Sequence, residues 1–144
     1  MAKKSFLADK IYYKHIMAAD KKKILIVEDE ALISKVYAEG LKDEGFNVLV
    51  AMNGKDGLEL ALREKPDIIL LDILMPVMDG LAMMDKLRED NAYGKKVPII
   101  LLTNLSAREE KIFQAIARNK PAYYFVKSNF NLSEIVEKIK ECLV

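Results

Sequence analysis

The residues of this chain that could do chemistry sit just past short apolar runs. Glu28, Asp29 and Glu30 follow Ile24–Val27, and Asp72 follows Ile68–Leu71. Thr103 follows the run 97–102, and Lys127 follows 122–126. Clustered carboxylates raise one another's pKa and call for a compensating cation. Hard oxygen ligands with room for water suit Mg²⁺. A lysine adds a second positive charge, and a threonine hydroxyl can donate a hydrogen bond. Together these groups make a site for a phosphoryl group, with the Asp72 carboxylate as nucleophile and the cations offsetting charge on the phosphoryl oxygens.

That site exists only if the four runs are neighbouring strands that end on the same side. Ile24–Val27, 68–71 and 97–102 are apolar at nearly every position, as strands of a parallel sheet covered on both faces must be. Asn47–Met52 and 122–126 read as two further strands. Amphipathic stretches alternate with them at 31–44, 54–64, 80–89, 107–118 and from Leu132 onward. The inward residues are expected to be Ile33, Val36, Tyr37, Gly40 and Leu41 in the first helix. In the others they are Leu58, Ala61 and Leu62; Met83, Met84 and Leu87; and Leu132, Ile135, Val136, Ile139, Cys142 and Leu143. Asn53 and Asn131 are expected N-caps, Ser106 with Glu109 a capping box, and Gly45 and Pro66 helix stops. Five βα units imply a flavodoxin-like α/β fold, a doubly wound five-stranded sheet of order 2-1-3-4-5 with three helices on one face and two on the other. In such a sheet, ligands bind beyond the carboxyl ends of the strands. Asp29 and Asp72, on adjacent strands, should converge there.

The chain has 144 residues, 51% of them hydrophobic and 31% charged, which suits one folded domain. One cysteine and one histidine exclude an internal disulfide, Cys-rich zinc sites and His-based metal clusters. No apolar run approaches the roughly 20 residues of a membrane span, and no secretory signal is readable. A cytoplasmic location is the expectation. Residues 1–23 carry seven lysines against two aspartates, while the rest carries 16 basic and 20 acidic groups. The body is therefore a poor candidate for non-specific nucleic-acid binding. Residues 1–22 read as a flexible N-terminal extension, His15 as part of that tail, and residues 23–144 as the domain. Cys142 reads as a core residue. No glycine-rich phosphate loop follows the first strand, which argues against a nucleotide or flavin enzyme.

The segments K-I-L-I-V-E-D-E at 23–30, L-L-D-I-L-M-P-V-M-D-G at 70–80, P-I-I-L-L-T at 98–103 and Y-Y-F-V-K at 123–127 resemble the response-regulator receiver domain of two-component signalling. The second segment, with Asp72, Pro76, Asp79 and Gly80 in register, is the most specific. The resemblance covers about residues 22–144. It implies a phosphoacceptor at Asp72, and an Mg²⁺ site from Glu28, Asp29, Asp72 and the backbone carbonyl of Leu74. It implies that Thr103 and Lys127 contact the phosphoryl group, and that Thr103 and Tyr124 switch the surface of helix 4, strand 5 and helix 5. The phosphoryl group would come from a histidine kinase or histidine phosphotransfer protein, and the output would be binding of a downstream protein, without membrane or direct nucleic-acid contact. The chain would catalyse only its own phosphorylation and dephosphorylation. The rival readings are an adaptor that works without phosphorylation and a receiver cut from a longer transcriptional regulator.

Three departures from the family pattern stand out. Ser128 replaces the usual cis-linked proline, which predicts a different loop presenting Lys127. Asn104 replaces a small residue. Leu74 and Leu105 occupy the variable positions flanking the phosphoryl group, and neither can orient a water.

Overall fold

Strands β1 (Lys23–Val27), β3 (Ile68–Asp72) and β4 (Ile99–Thr103) are buried along nearly their whole length in the computed structural model. The structure describes residues 7–10, 21–90, 92–104 and 110–144. β2 (Asn47–Ala51) and β5 (Tyr123–Val126) flank the three, half-exposed, as the edges of the sheet. All pairings are parallel, in the order β2-β1-β3-β4-β5, as the sequence predicts.

Side chains alternate between two apolar layers. Leu25, Val27, Ile69, Leu71, Ile99 and Leu101 pack with helices α2 (Gly54–Glu64), α3 (Gly80–Glu89) and α4 (Glu110–Asn119). Ile24, Ile26, Ile68, Leu70, Ile100 and Leu102 pack with α1 (Ala31–Asp43) and α5 (Leu132–Cys142). The three-and-two division follows from right-handed crossovers on either side of β1. Two elements lie outside the expected five helices: a helical turn at Ala92–Lys96 and a 3₁₀ turn at Lys127–Asn129. Of residues 1–20, only the short helical piece 7–10 is described. His15 and the Ser106/Glu109 capping pair lie outside the described residues.

The local signals act as expected. Asn53 Oδ1 accepts from the Asp56 N–H at 2.9 Å, and Asn131 Oδ1 from the Glu134 N–H at 3.0 Å. Asp79 adds a cap the sequence reading missed, accepting from the Ala82 N–H at 2.8 Å. Gly45 takes φ +94° past α1, and Lys65 turns left-handed before Pro66. Met83, Met84 and Leu87 are fully buried, and Cys142 is half-buried against the α1–α5 layer.

The apolar stripe expected on α1 holds at Leu41 and, half-buried, at Tyr37, and is corrected at Val36. The helix buries Ser34, Ala38 and Leu41, whereas Val36 is 56% exposed and Leu32 80%. Small residues let α1 approach closely: a Cβ on Gly40 would lie within 2.2 Å of Leu132 Cδ2 on α5. Seated on that narrow face, the helix turns its bulkier residues outward.

Gly80 fixes the loop after β3. Its N–H donates to Ile73 O at 2.8 Å, and a Cβ there would meet Asp72 O at 2.0 Å. Because the obstacle is backbone, Gly80→Ala is expected to lower unfolding free energy by about 3 kcal/mol, read from urea denaturation.

Candidate functional site

Each candidate group is placed by a strand end. β1 ends at Val27, and the Glu28 N–H continues its ladder to Ala51 O at 3.1 Å. That hydrogen bond turns the Glu28 carboxylate inward, where it is 1% exposed. Asp72 ends β3 and Thr103 ends β4, 6% and 0% exposed. The side chain of Lys127, just past β5, is 7% exposed.

The acidic groups converge. One carboxylate oxygen from each of Glu28, Asp29 and Asp72 lies within 4.8 Å of the others. Lys127 Nζ donates to Glu28 Oε2 at 2.5 Å and to Asp72 Oδ2 at 3.3 Å. Burial raises the pKa of both carboxylates from the ordinary range; the Lys127 ammonium opposes that, and neighbouring carboxylates add to it. Burial pulls Lys127 down, but its bond to Glu28 and the two negative charges outweigh this, so its pKa is raised.

Three clustered carboxylates with hard oxygen donors suit a small divalent cation that keeps some waters. The excess of buried negative charge over Lys127 is the feature such an ion would neutralise. The donor set therefore fits Mg²⁺. The arrangement offers a carboxylate nucleophile beside a fixed cation and a buried hydroxyl, which is what phosphoryl transfer requires.

The loop from Asp72 to α3 is held tightly. Ile73 N–H donates to Leu102 O at 3.3 Å, and Gly54 N–H to Met78 O at 3.0 Å. Within it Val77, a β-branched residue, takes φ +69°. Such strain survives only where surroundings enforce the conformation. Leu74, two residues past Asp72, is 56% exposed, and Asn104 is exposed. Leu105 lies outside the described residues. Tyr124 is half-buried on β5 beside the α2–α4 layer.

Lys127 opens a 3₁₀ turn, Lys127–Asn129, and the peptide bonds there are trans. The lysine nevertheless reaches both carboxylates.

One neighbour escaped the sequence reading. Tyr37, expected as core, is half-buried and lines a hollow of about 400 Å³ with Leu32, Ile33, Val36, Asn104 and Lys127. Burial raises its pKa, and the charges of Lys127, Glu28, Asp72 and Glu30 act on it. A helical-stripe reading cannot separate a residue facing the sheet from one facing the end of the next strand.

A family profile described as the response regulator receiver domain matches residues 24–140. Among curated proteins, the chain is 34% identical over 120 residues to "Probable transcriptional regulator ycf29" of Porphyra purpurea, covering 83% of this chain and 56% of that one. It spans about half the length of the curated relatives it matches. Among solved structures, a CheY-like receiver domain protein from Methanospirillum hungatei superposes with TM-score 0.78 at 27% identity, over 86% of this chain and 94% of the other. The response regulator TrrA from Thermotoga maritima, solved with Mg²⁺ and BeF, gives TM-score 0.72 at 36% identity, over 85% and 99%.

Proposed function

The chain belongs to the response-regulator receiver family, and from that premise we propose that Asp72 accepts a phosphoryl group from a phosphohistidine. An Asp72 carboxylate oxygen attacks phosphorus, and the bond from phosphorus to the histidine nitrogen breaks. Glu28, Asp29 and Asp72, with the backbone carbonyl of Leu74, would hold Mg²⁺, which supplies charge neutralisation at the phosphoryl oxygens. Lys127 is already fixed against the nucleophile and carries the second positive charge. The buried Thr103 hydroxyl is the donor on the β4 side. Its shift toward the phosphoryl group, with inward movement of Tyr124, would reshape the α4–β5–α5 surface for a downstream protein.

The observation that carries this reading is the ammonium of Lys127 bridging two carboxylates beside Asp29. Its donor is a sensor histidine kinase or a histidine phosphotransfer protein. The exposed Leu32 and Val36, which line the hollow at Lys127, give that donor an apolar surface to use. The test is intact-mass measurement after incubation with Mg²⁺ and a small acyl phosphate. One added phosphoryl group that needs Mg²⁺ supports the reading. No adduct at any time from seconds to hours favours the adaptor that works without phosphorylation.

A second reading concerns context. The curated relatives are about twice as long and bear transcriptional-regulator names. On that reading the chain is the receiver portion of a longer transcriptional regulator, and the sequence of the full gene tests this.

Leu74 and Leu105 offer no group to orient an attacking water. The phosphoaspartate is therefore expected to persist for minutes or longer. Leu74→Asn should shorten its lifetime by about tenfold, followed by the decay of the mass adduct after donor removal. Loss of the wild-type adduct within seconds would overturn this.

A further inference from the structure

At the end of the sheet remote from Asp72, a hollow of about 460 Å³ opens beside the start of β4. Five cationic side chains line it: Arg88, Lys95, Lys96, Arg118 and Lys120. No carboxylate is among its lining residues. This concentration is unexpected in a body whose acidic groups outnumber its basic ones. We propose that this hollow binds a small ligand bearing an oligophosphate chain.

The cations are not spent on one another's neighbours. Arg118 alone is paired, to Asp85 at 2.9 Å. Among the described residues Arg88, Lys95, Lys96 and Lys120 form no ion pair. Arg88 is built in rather than draped on the surface. Its Nε donates to Asn119 O at 3.0 Å, and its Nη1 to Gly94 O at 2.8 Å and Val97 O at 2.6 Å. Those three bonds fix the guanidinium plane in the wall of the hollow. Its charge is half-buried and answered only by carbonyl dipoles. The lysines are exposed at the rim, where mobile ammonium groups can follow a flexible anion.

The volume lies within the range of small-molecule sites. So many positive charges select a ligand with several negative ones, and a phosphate chain matches the ammonium points together with Arg88 Nη2, the guanidinium nitrogen that the three carbonyls leave over. Pro98 and Ala122 add a short apolar wall, against which a nucleoside could lie. β4 alone separates this end from Thr103 by about 13 Å, so the site does not share atoms with the Asp72 cluster, and the inference does not depend on that cluster's chemistry.

The test is titration of ¹⁵N-labelled protein with inorganic triphosphate, without Mg²⁺. Saturable shifts are expected at the amides of residues 95–97 and 119–122. Lys95→Glu with Lys96→Glu should weaken binding by at least about tenfold, through two lost attractions and two new repulsions. Lys35→Glu with Lys42→Glu, on α1, should change it less than about twofold. Non-saturating shifts, equal weakening by both variant pairs, or shifts confined to the Asp72 loop would overturn the site. Adenosine triphosphate identifies the source: tighter binding than the inorganic chain assigns a nucleotide, and equal or weaker binding assigns the phosphate chain alone. Unchanged amide spectra of the variants away from the hollow show that they remain folded.

Discussion

Asp72→Asn is expected to take up no phosphoryl group from any donor, while folding as well as the parent chain or slightly better. The first half follows from electron supply. An amide oxygen is neutral and a poor nucleophile, and no other described carboxylate has Lys127 beside it except Glu28, whose oxygen is already committed to that lysine at 2.5 Å. The second half follows from electrostatics. Burial raises the pKa of Asp72, with Lys127 opposing and Asp29 adding to it. A carboxyl whose folded pKa is raised binds its proton more tightly when folded. Its ionisation therefore penalises folding once pH exceeds that raised value. Asparagine removes the penalty and leaves the Lys127–Glu28 pair intact. Without Mg²⁺ at neutral pH the variant should match the parent or exceed it by up to about 1 kcal/mol, and the gap should close as pH falls. Mg²⁺ should stabilise the parent, by about 2.7 kcal/mol at a hundredfold excess over Kd, and the variant less. Intact mass and thermal melts with and without Mg²⁺ read both halves. A phosphoryl adduct on the variant would move the acceptor away from Asp72.

The parallel sheet was readable because β1, β3 and β4 are apolar on both faces, a pattern that few other arrangements tolerate. Strand order brought Asp29 and Asp72 together on paper, and the structure does bring them together. What periodicity could not supply was rotation. On α1 the apolar residues and the small ones lie side by side, and the choice between them depends on Gly40 meeting Leu132, a contact across 92 positions of sequence. For the same reason periodicity places Tyr37 on the core layer, where it does pack, without showing that it also borders the hollow at Lys127. The partner of Lys127 was likewise invisible: sequence gives Glu28 and Asp72 equal claims, and only the turn at Lys127–Asn129 decides that Glu28 is the nearer. The substitution of Ser128 for proline predicted a changed loop, yet not that the lysine would still arrive.

Lys127→Met is expected to damage both stability and phosphoryl transfer, and the two losses can be separated. The side chains of Lys127, Glu28 and Asp72 are 7%, 2% and 7% exposed, so removing the ammonium strands two carboxylates with little water to replace it. Breaking a buried ion pair from one side costs about 3–5 kcal/mol. That loss should appear in metal-free protein near neutral pH. It should shrink on acidification, because protonating Glu28 and Asp72 removes the uncompensated charge. The parent has a complementary dependence at the alkaline end. The pKa of Lys127 is raised, so its contribution is complete below the ordinary lysine pKa and is lost as pH rises through the folded value. The variant should lack that alkaline step. Adding Glu28→Gln to Lys127→Met should recover part of the loss, with a coupling of about 1–3 kcal/mol, since the amide needs no counter-charge. Rate behaves differently. Loss of one fixed charge at the phosphoryl oxygens should slow adduct formation by about 10²–10³-fold. The Glu28→Gln rescue should not restore it, because it supplies stability without a cation. A variant as stable as the parent without metal would mean that Lys127 is not buried between the carboxylates, and a variant that regains its rate with Glu28→Gln would reduce the lysine to a structural counter-ion.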